Sequence, residues 1–145
     1  SMNFVKRGVI ETSLDDLTPY KEAGWTNYPK GVMWAFEKRG FKMTSGLDVV
    51  LYGNIPNGSG LSSSAAFEDM IGTILNYLYN NGNIDYIEIS KISQYAENVH
   101  FGKPCGLMDQ VACAAGGIVA IDFQDPSAPV IEKLDFDDLF KREIV

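Results

Sequence analysis

Between Ser62 and Asn80 the apolar side chains fall at Ala66, Met70, Ile71, Ile74, Leu75, Leu78 and Tyr79. Those intervals stack on one side of an α-helix and leave Glu68 and Asp69 off the stripe. Asn80-Asn81-Gly82 is a stop signal. A second helix is predicted after Asp85, which precedes Glu88 in the manner of a capping box, and its inward face continues through Ile89, Ile92, Ala96 and Val99. A third is predicted over Trp25–Arg39, where Trp25, Tyr28, Val32 and Phe36 recur at near-helical spacing, Pro29 sits early and Gly40 follows as a stop. Strands are predicted over Phe4–Glu11, Leu47–Gly53, Gly117–Phe123 and Val130–Phe136, the last two joined by the turn Gln124-Asp125-Pro126-Ser127. Ser13–Lys21 is polar and turn-rich. Strands and helices are mixed without strict alternation, which makes the fold class α+β.

Composition narrows the partners. With 145 residues, 46% hydrophobic and 21% charged, the chain is a globular domain rather than a disordered segment. Nineteen acidic against twelve basic residues, a net charge of −7, disfavour nucleic acid and anionic membrane surfaces, both of which are held by Lys and Arg. No apolar run reaches the ~20 residues of a membrane span. The start carries no basic region followed by an apolar core, so a cytoplasmic protein is expected. Cys105 and Cys113 fit no zinc spacing, and the lone His100 has no ligand neighbour in sequence. The charged tail Asp137–Val145 has no closing element and a Ser precedes the first Met, so the expectation is one domain over 1–145, cut short at both ends.

The segment from Gly53 to Ala66 joins a predicted strand to a predicted helix, and no charged residue falls between Asp48 and Glu68. Gly58 and Gly60 allow positive φ or a close backbone approach. Ser62, Ser63 and Ser64 stand where a helix's first N–H groups lack acceptors and its dipole is positive. Backbone N–H groups and hydroxyls so placed make an anion site without cationic side chains. The spacing is not a P-loop, because Ser59 stands where Lys is required, nor a dinucleotide fingerprint. Gly and Ser alone would mark only a turn.

Pro56-x-Gly58-x-Gly60-Leu61-Ser62-Ser63-Ser64-Ala65 resembles the phosphate-binding motif of the GHMP small-molecule kinases. Cys105-Gly106-Leu107-Met108-Asp109-Gln110 resembles the Cys-Gly-Ile-Met-Asp-Gln block of their galactokinase branch, as does Trp25-x-Asn27-Tyr28-x-Lys30-Gly31 upstream. The blocks lie in order over roughly residues 25–123. The resemblance implies an N-terminal-type GHMP domain, a mixed sheet with helices on one face, here incomplete. It also implies ATP, Mg2+ and a sugar as ligands.

By that resemblance Gly58, Ser59, Gly60, Leu61, Ser62, Ser63 and Ser64 hold the ATP phosphates. Ser63 and Glu97 bind the metal, Trp25 and Tyr28 line the adenine pocket, Gly106 lies against the sugar, and Asp109 takes the proton of the anomeric hydroxyl. Each has a plainer reading from the residues alone. Asp109, the only charge between Lys103 and Asp122, could cap a helix. Glu97 could be a solvated helix face, Trp25 and Tyr28 core aromatics, and Gly106 a tight turn. Cys105 reads as a packed thiol, with no basic partner to activate it.

The segment Gly-Arg-Val-Asn-Leu-Ile-Gly-Glu-His-Thr-Asp-Tyr with which galactokinases begin is not found in this sequence, nor is their C-terminal half. The resemblance therefore implies the middle of an ATP:D-galactose 1-phosphotransferase, weakly active or inactive alone. The alternatives are a related kinase of galacturonate, arabinose or N-acetylgalactosamine, or an ATP- and sugar-binding sensor without catalysis. An incomplete sheet would leave an exposed edge, so self-association is expected.

Overall fold

Helix α2 (Ser63–Asn80) is the element on which the other helices pack. The computed structural model describes residues 1–19, 21–56 and 60–135. Within them the chain also forms α1 (Asn27–Lys38), α3 (Tyr86–Tyr95), α4 (Met108–Ala115) and an antiparallel hairpin of β1 (Ile118–Asp122) and β2 (Val130–Leu134). Short 3-10 turns span Met2–Arg7 and Lys21–Thr26, and a π-helical turn, Ala96–His100, extends α3. α1, α3 and α4 all contact α2, and α3 also lies on α4.

The core gathers Val32 and Phe36 of α1, Ile71 and Leu75 of α2, and Ile89 and Ile92 of α3. Side chains of this kind contribute about 1.5–3 kcal/mol each when fully buried. Two glycines permit the packing. A Cβ on Gly72 would stand 2.9 Å from Ile89 Cγ2, and one on Gly31 would stand 2.9 Å from Phe101 Cε2. The capping residue predicted for α3 is in place, with Asp85 Oδ1 accepting the Glu88 N–H at 2.8 Å. After α2, buried Asn76 takes over the backbone pairing of the next segment, its Nδ2 donating to the Ile84 carbonyl at 2.8 Å and its Oδ1 accepting the Ile84 N–H at 3.1 Å. In the hairpin Ile121 lies opposite Ile131, and Lys91 Nζ ties the turn to α3 through the Ser127 carbonyl at 2.8 Å.

The α+β class and the positions of the long helices and the hairpin agree with the sequence reading, although Phe136 lies outside the described residues. Two predicted strands are replaced. Phe4–Glu11 begins inside a 3-10 turn closed by the Gly8 N–H on the Val5 carbonyl, and Val5 and Val9 recur at four rather than two. Leu47–Gly53 buries Leu51 but finds no neighbouring strand. Its partners are the Met2 N–H on the Leu51 carbonyl and the Asn3 side chain, which brackets Gly53 with bonds of 2.6 and 2.8 Å.

Two inward faces are also turned. On α2 the buried face runs through Ala65, Glu68, Asp69, Gly72 and Asn76, while Met70 and Leu78 are exposed. A helix packed by three others is covered far beyond its apolar stripe. After Tyr95 the π turn adds a residue to the helical repeat, shown by the Phe101 N–H bonding the Ala96 carbonyl at 3.2 Å. Val99, predicted to face inward, is 52% exposed, and His100 is buried at 8% in its stead.

Candidate functional site

At the start of α2 the chain makes a tight left-handed passage. Gly60 has φ +75° and Ser62, a residue with a side chain, has φ 54°. Such a conformation in a non-glycine residue is costly and marks a shaped backbone. Ser62 occupies the cap position, but its side chain makes no capping bond. Its carbonyl accepts the Ala66 N–H at 3.0 Å, so the N–H groups of Ser63, Ser64 and Ala65 precede the first intrahelical bond. Leu61 is exposed. Gly58 and Ser59, expected in the same loop, lie outside the described residues.

Glu97 faces this helix start from the π turn. It is 3% exposed, which replaces the solvated-face alternative, and both carboxylate oxygens are engaged. Oε1 accepts from Ser64 Oγ at 3.1 Å and pairs with Lys103 Nζ at 2.5 Å, and Oε2 accepts from Gln110 Nε2 at 3.0 Å. The serine beside the carboxylate is thus Ser64, whereas the sequence reading had paired Glu97 with Ser63. Burial works to raise the Glu97 pKa, but hydrogen bonds from Lys103, Cys105 and Ser64 and the Lys103 charge outweigh it and hold the carboxyl below its ordinary range. Lys103 is raised in turn, chiefly by its bond to Glu97.

Two further carboxyls lie behind this pair. Glu68 is 0% exposed and no hydrogen bond of ordinary geometry reaches its oxygens among the described residues; the same holds for Asp69. Burial, then the negative charges of Glu97 and Asp69, push Glu68 up to about 9, with Lys103 and the Gln110 amide drawing it partly back. Burial pushes Asp69 up to about 7, and the Ser93 hydroxyl offsets part of that. Glu68 is therefore a neutral acid at neutral pH, as an unpaired buried carboxyl must be.

The third part of the site is the passage into α4. Cys105 is pinned by Asn98, whose Oδ1 accepts the Cys105 N–H at 2.6 Å and whose Nδ2 donates to its carbonyl at 3.3 Å. Burial first, and Glu97 next, push the Cys105 thiol up to about 11, so it is a neutral packed thiol. Gly106 is exposed with open space where a Cβ would stand, leaving the backbone approachable. Asp109 lies in the first turn of α4, one turn in from the cap position of Leu107, so it is not the helix cap. It is exposed, where the apolar sequence around it suggested burial, because α4 turns its other side inward and buries Gln110 and Val111.

The aromatic residues form a cluster beside α2. Trp25 lies in the 3-10 turn before α1, not on the helix with Tyr28. It stacks on Phe4 with centroids 6.1 Å apart and meets the edge of Phe67 at 6.3 Å. Tyr28 meets Phe67 at 6.3 Å and Phe101 at 4.9 Å. Phe67 is one turn along α2 from Ser63 and Ser64, so the cluster adjoins the helix start.

Residues 27–117 match the family described as GHMP kinases N terminal domain. The chain belongs to the GHMP kinases. Among curated relatives, the galactokinase of Clostridium beijerinckii is 49% identical over 116 residues, which are 80% of this chain and 30% of the relative. That of Bacillus subtilis is 47% identical over the same shares. The chain thus spans about 30% of the length of these relatives. A solved structure of Lactococcus lactis galactokinase complexed with galactose matches with a TM-score of 0.80 at 32% identity, covering 92% of this chain and 34% of that one.

This GHMP domain has site-forming residues that pattern reading passed over. Glu68 and Asp69 looked like an exposed helix face because they are charged. Their order directly after the Ser-Ala run was the available signal. Lys103 is six residues beyond Glu97, a separation no α-helical rule pairs, and it arrives through the π turn and the bend after it. Gln110 stood inside the quoted block beside Asp109 without a role. His100, read as incidental, is buried with its Nε2 2.6 Å from the Leu17 carbonyl, and it packs between Trp34 and Phe101.

Proposed function

We propose that this domain is the ATP-binding portion of a galactokinase-type enzyme, which transfers the γ-phosphoryl group of ATP to the anomeric hydroxyl of D-galactose. The observation that carries the reading is the meeting of Ser64, at the start of α2, with Glu97 at 3.1 Å, while Gln110, next to Asp109, binds the other oxygen of the same carboxylate. A phosphate-binding helix start, a carboxylate and an exposed aspartate are thereby held by one hydrogen-bond network.

In this reading the loop through Gly58–Ser64 receives the phosphates on backbone N–H groups and hydroxyls. Asp109 accepts the proton of the sugar hydroxyl as that oxygen attacks the γ-phosphorus. Gly106 lets the sugar lie against the backbone, and the Trp25–Tyr28 cluster borders the base. A Mg2+ ion would be held by Glu97 and Ser64, with Ser63 adjacent, and would neutralise charge on the phosphates. The donor set fits. It is hard oxygen and sparse, and no cluster of three or more His, Cys, Asp or Glu exists among the described residues, so the remaining positions fall to phosphate and water. The domain alone lacks the rest of a sugar site and is expected to be slow or inactive, because phosphoryl transfer depends on complete positioning. No helix among the described residues is long and apolar enough to cross a membrane.

Calorimetric titration with a non-hydrolysable ATP analogue, with and without Mg2+, tests the binding half, and a galactose-dependent ADP-release assay on the complete protein tests the transfer. Mg2+-dependent binding and ADP release with galactose are expected. Absence of nucleotide binding in the folded complete protein would refute the reading. Turnover with galacturonate, arabinose or N-acetylgalactosamine in place of galactose would reassign the sugar.

A further inference from the structure

Gln110 is fully buried at 0% exposure, yet it carries two polar atoms into the interior of the α2–α4 packing. Its Nε2 spends itself on Glu97 Oε2 at 3.0 Å, with the Cys105 sulfur 3.6 Å away as a weak second acceptor. A buried amide that satisfies one partner and leaves its own Oε1 without one, among the described residues, is poor core material. An apolar residue of the same volume would be the better filler. What the amide does accomplish is directional. A carboxylate can rotate about its last torsion, and a donor on one oxygen fixes the direction of the other. With Oε2 held by Gln110, Oε1 faces Ser64 and Lys103.

Gln110 also directly follows Asp109 in the first turn of α4. A shift of that turn would move both the exposed aspartate and the donor on Glu97. We propose that Gln110 is a positioning residue that aims the Glu97 carboxylate at the cation side of the phosphate loop and locks it to the helix turn bearing Asp109. The inference rests on the kinase reading above. It adds a coupling between the cation-side carboxylate and the helix turn of the base. Groups that orient a metal-binding side chain typically change metal affinity or activity by about 10–100-fold when removed.

The test uses the complete protein with Gln110→Met, which keeps the volume and removes the donor, and Gln110→Asn, which keeps an amide that cannot reach. Circular dichroism and thermal unfolding establish that each is folded, and Gln110→Asn serves if the Met variant is not. Calorimetry measures affinity for a non-hydrolysable ATP analogue with and without Mg2+, in the wild-type and the Glu97→Gln backgrounds. The expected result is affinity weakened about tenfold with Mg2+, little changed without it. In Glu97→Gln the second substitution should add almost nothing. Equal losses with and without Mg2+, or full additivity with Glu97→Gln, would reduce Gln110 to a packing residue and overturn the proposal while leaving the kinase reading intact. A wild-type protein that binds no Mg2+–nucleotide would overturn both.

Discussion

The hydroxyl of Ser64 and the carboxylate of Glu97 are 33 residues apart in sequence and 3.1 Å apart in space. This contact, more than either residue alone, joins the first turn of α2 to the π turn. It assigns the cation side of the loop to Ser64 over Ser63. Accordingly Ser64→Ala should raise the Mg2+ concentration needed for nucleotide-analogue binding by roughly tenfold, in the range expected for a group oriented around a metal. Ser63→Ala should change it less. A Mg2+ titration of the two variants decides, and the reverse ranking would return the role to Ser63.

Asp109 is exposed on a helix whose buried side is formed by its neighbours, so its side chain does little for the fold. Asp109→Asn should cost less than about 1 kcal/mol of stability, the scale of a charge near a helix N-terminus. Turnover of the complete protein should fall by about 10²–10⁴, the usual contribution of a general base. Nucleotide binding should persist. Retained turnover would remove Asp109 from the chemistry, and lost nucleotide binding would make it a ligand-site residue instead.

Glu68 makes stability depend on pH with a definite sign. Its carboxyl goes from an ordinary value of 4.5 to about 9 on folding. Below about 4.5 both states hold the proton and the group costs nothing. Between there and about 9 the unfolded chain ionises first, so stability declines as pH rises. Asp69 adds a decline that ends near 7. Glu68→Gln should therefore gain on the wild type between pH 5 and pH 8 by a few kcal/mol, at ~1.4 kcal/mol per pKa unit. Urea unfolding of both proteins at the two pH values measures it. A difference that does not change with pH would mean that Glu68 ionises in the folded domain as it does in the unfolded chain.

Asn76 replaces two backbone hydrogen bonds for Ile84 from within the core. Asn76→Ala leaves a buried N–H and carbonyl unpaired and should cost roughly 2–4 kcal/mol. Asn76→Asp should be comparable, since it keeps the acceptor for the Ile84 N–H but sets an oxygen against the Ile84 carbonyl. Denaturant unfolding would show it, and a loss under 1 kcal/mol for Asn76→Ala would mean that water enters to satisfy Ile84.

The long helices and the hairpin were legible because their signals are local. An apolar run ended by Asn-Asn-Gly, a capping Asp, and a Pro-containing turn between two apolar stretches each act within a few residues. The strand predicted at Leu47–Gly53 failed because a strand needs a neighbour, and periodicity does not say whether one is supplied. The loop, Glu97 and Asp109 could be found as residues, but not their relation. Which serine meets Glu97, and that Lys103 and Gln110 complete its shell, depend on how α2, the π turn and α4 come together. Glu68 and Asp69 were misread because charge was taken for exposure. In a helix covered by three neighbours, buried positions exceed apolar ones, and two carboxyls are carried inside at the cost of their charge.

The π turn at Ala96–His100 makes chain length itself a functional variable. It carries one residue more than a regular helix would use, and that residue places Glu97 toward the loop while delivering His100 to the core and Lys103 to Glu97. Removing any single residue between Ala96 and Phe101 would let the helix close to its ordinary pitch and rotate everything beyond it by about 100°. Point changes at outward positions such as Val99 leave that phase intact. Over evolutionary time this stretch should therefore accept substitutions far more readily than insertions or deletions.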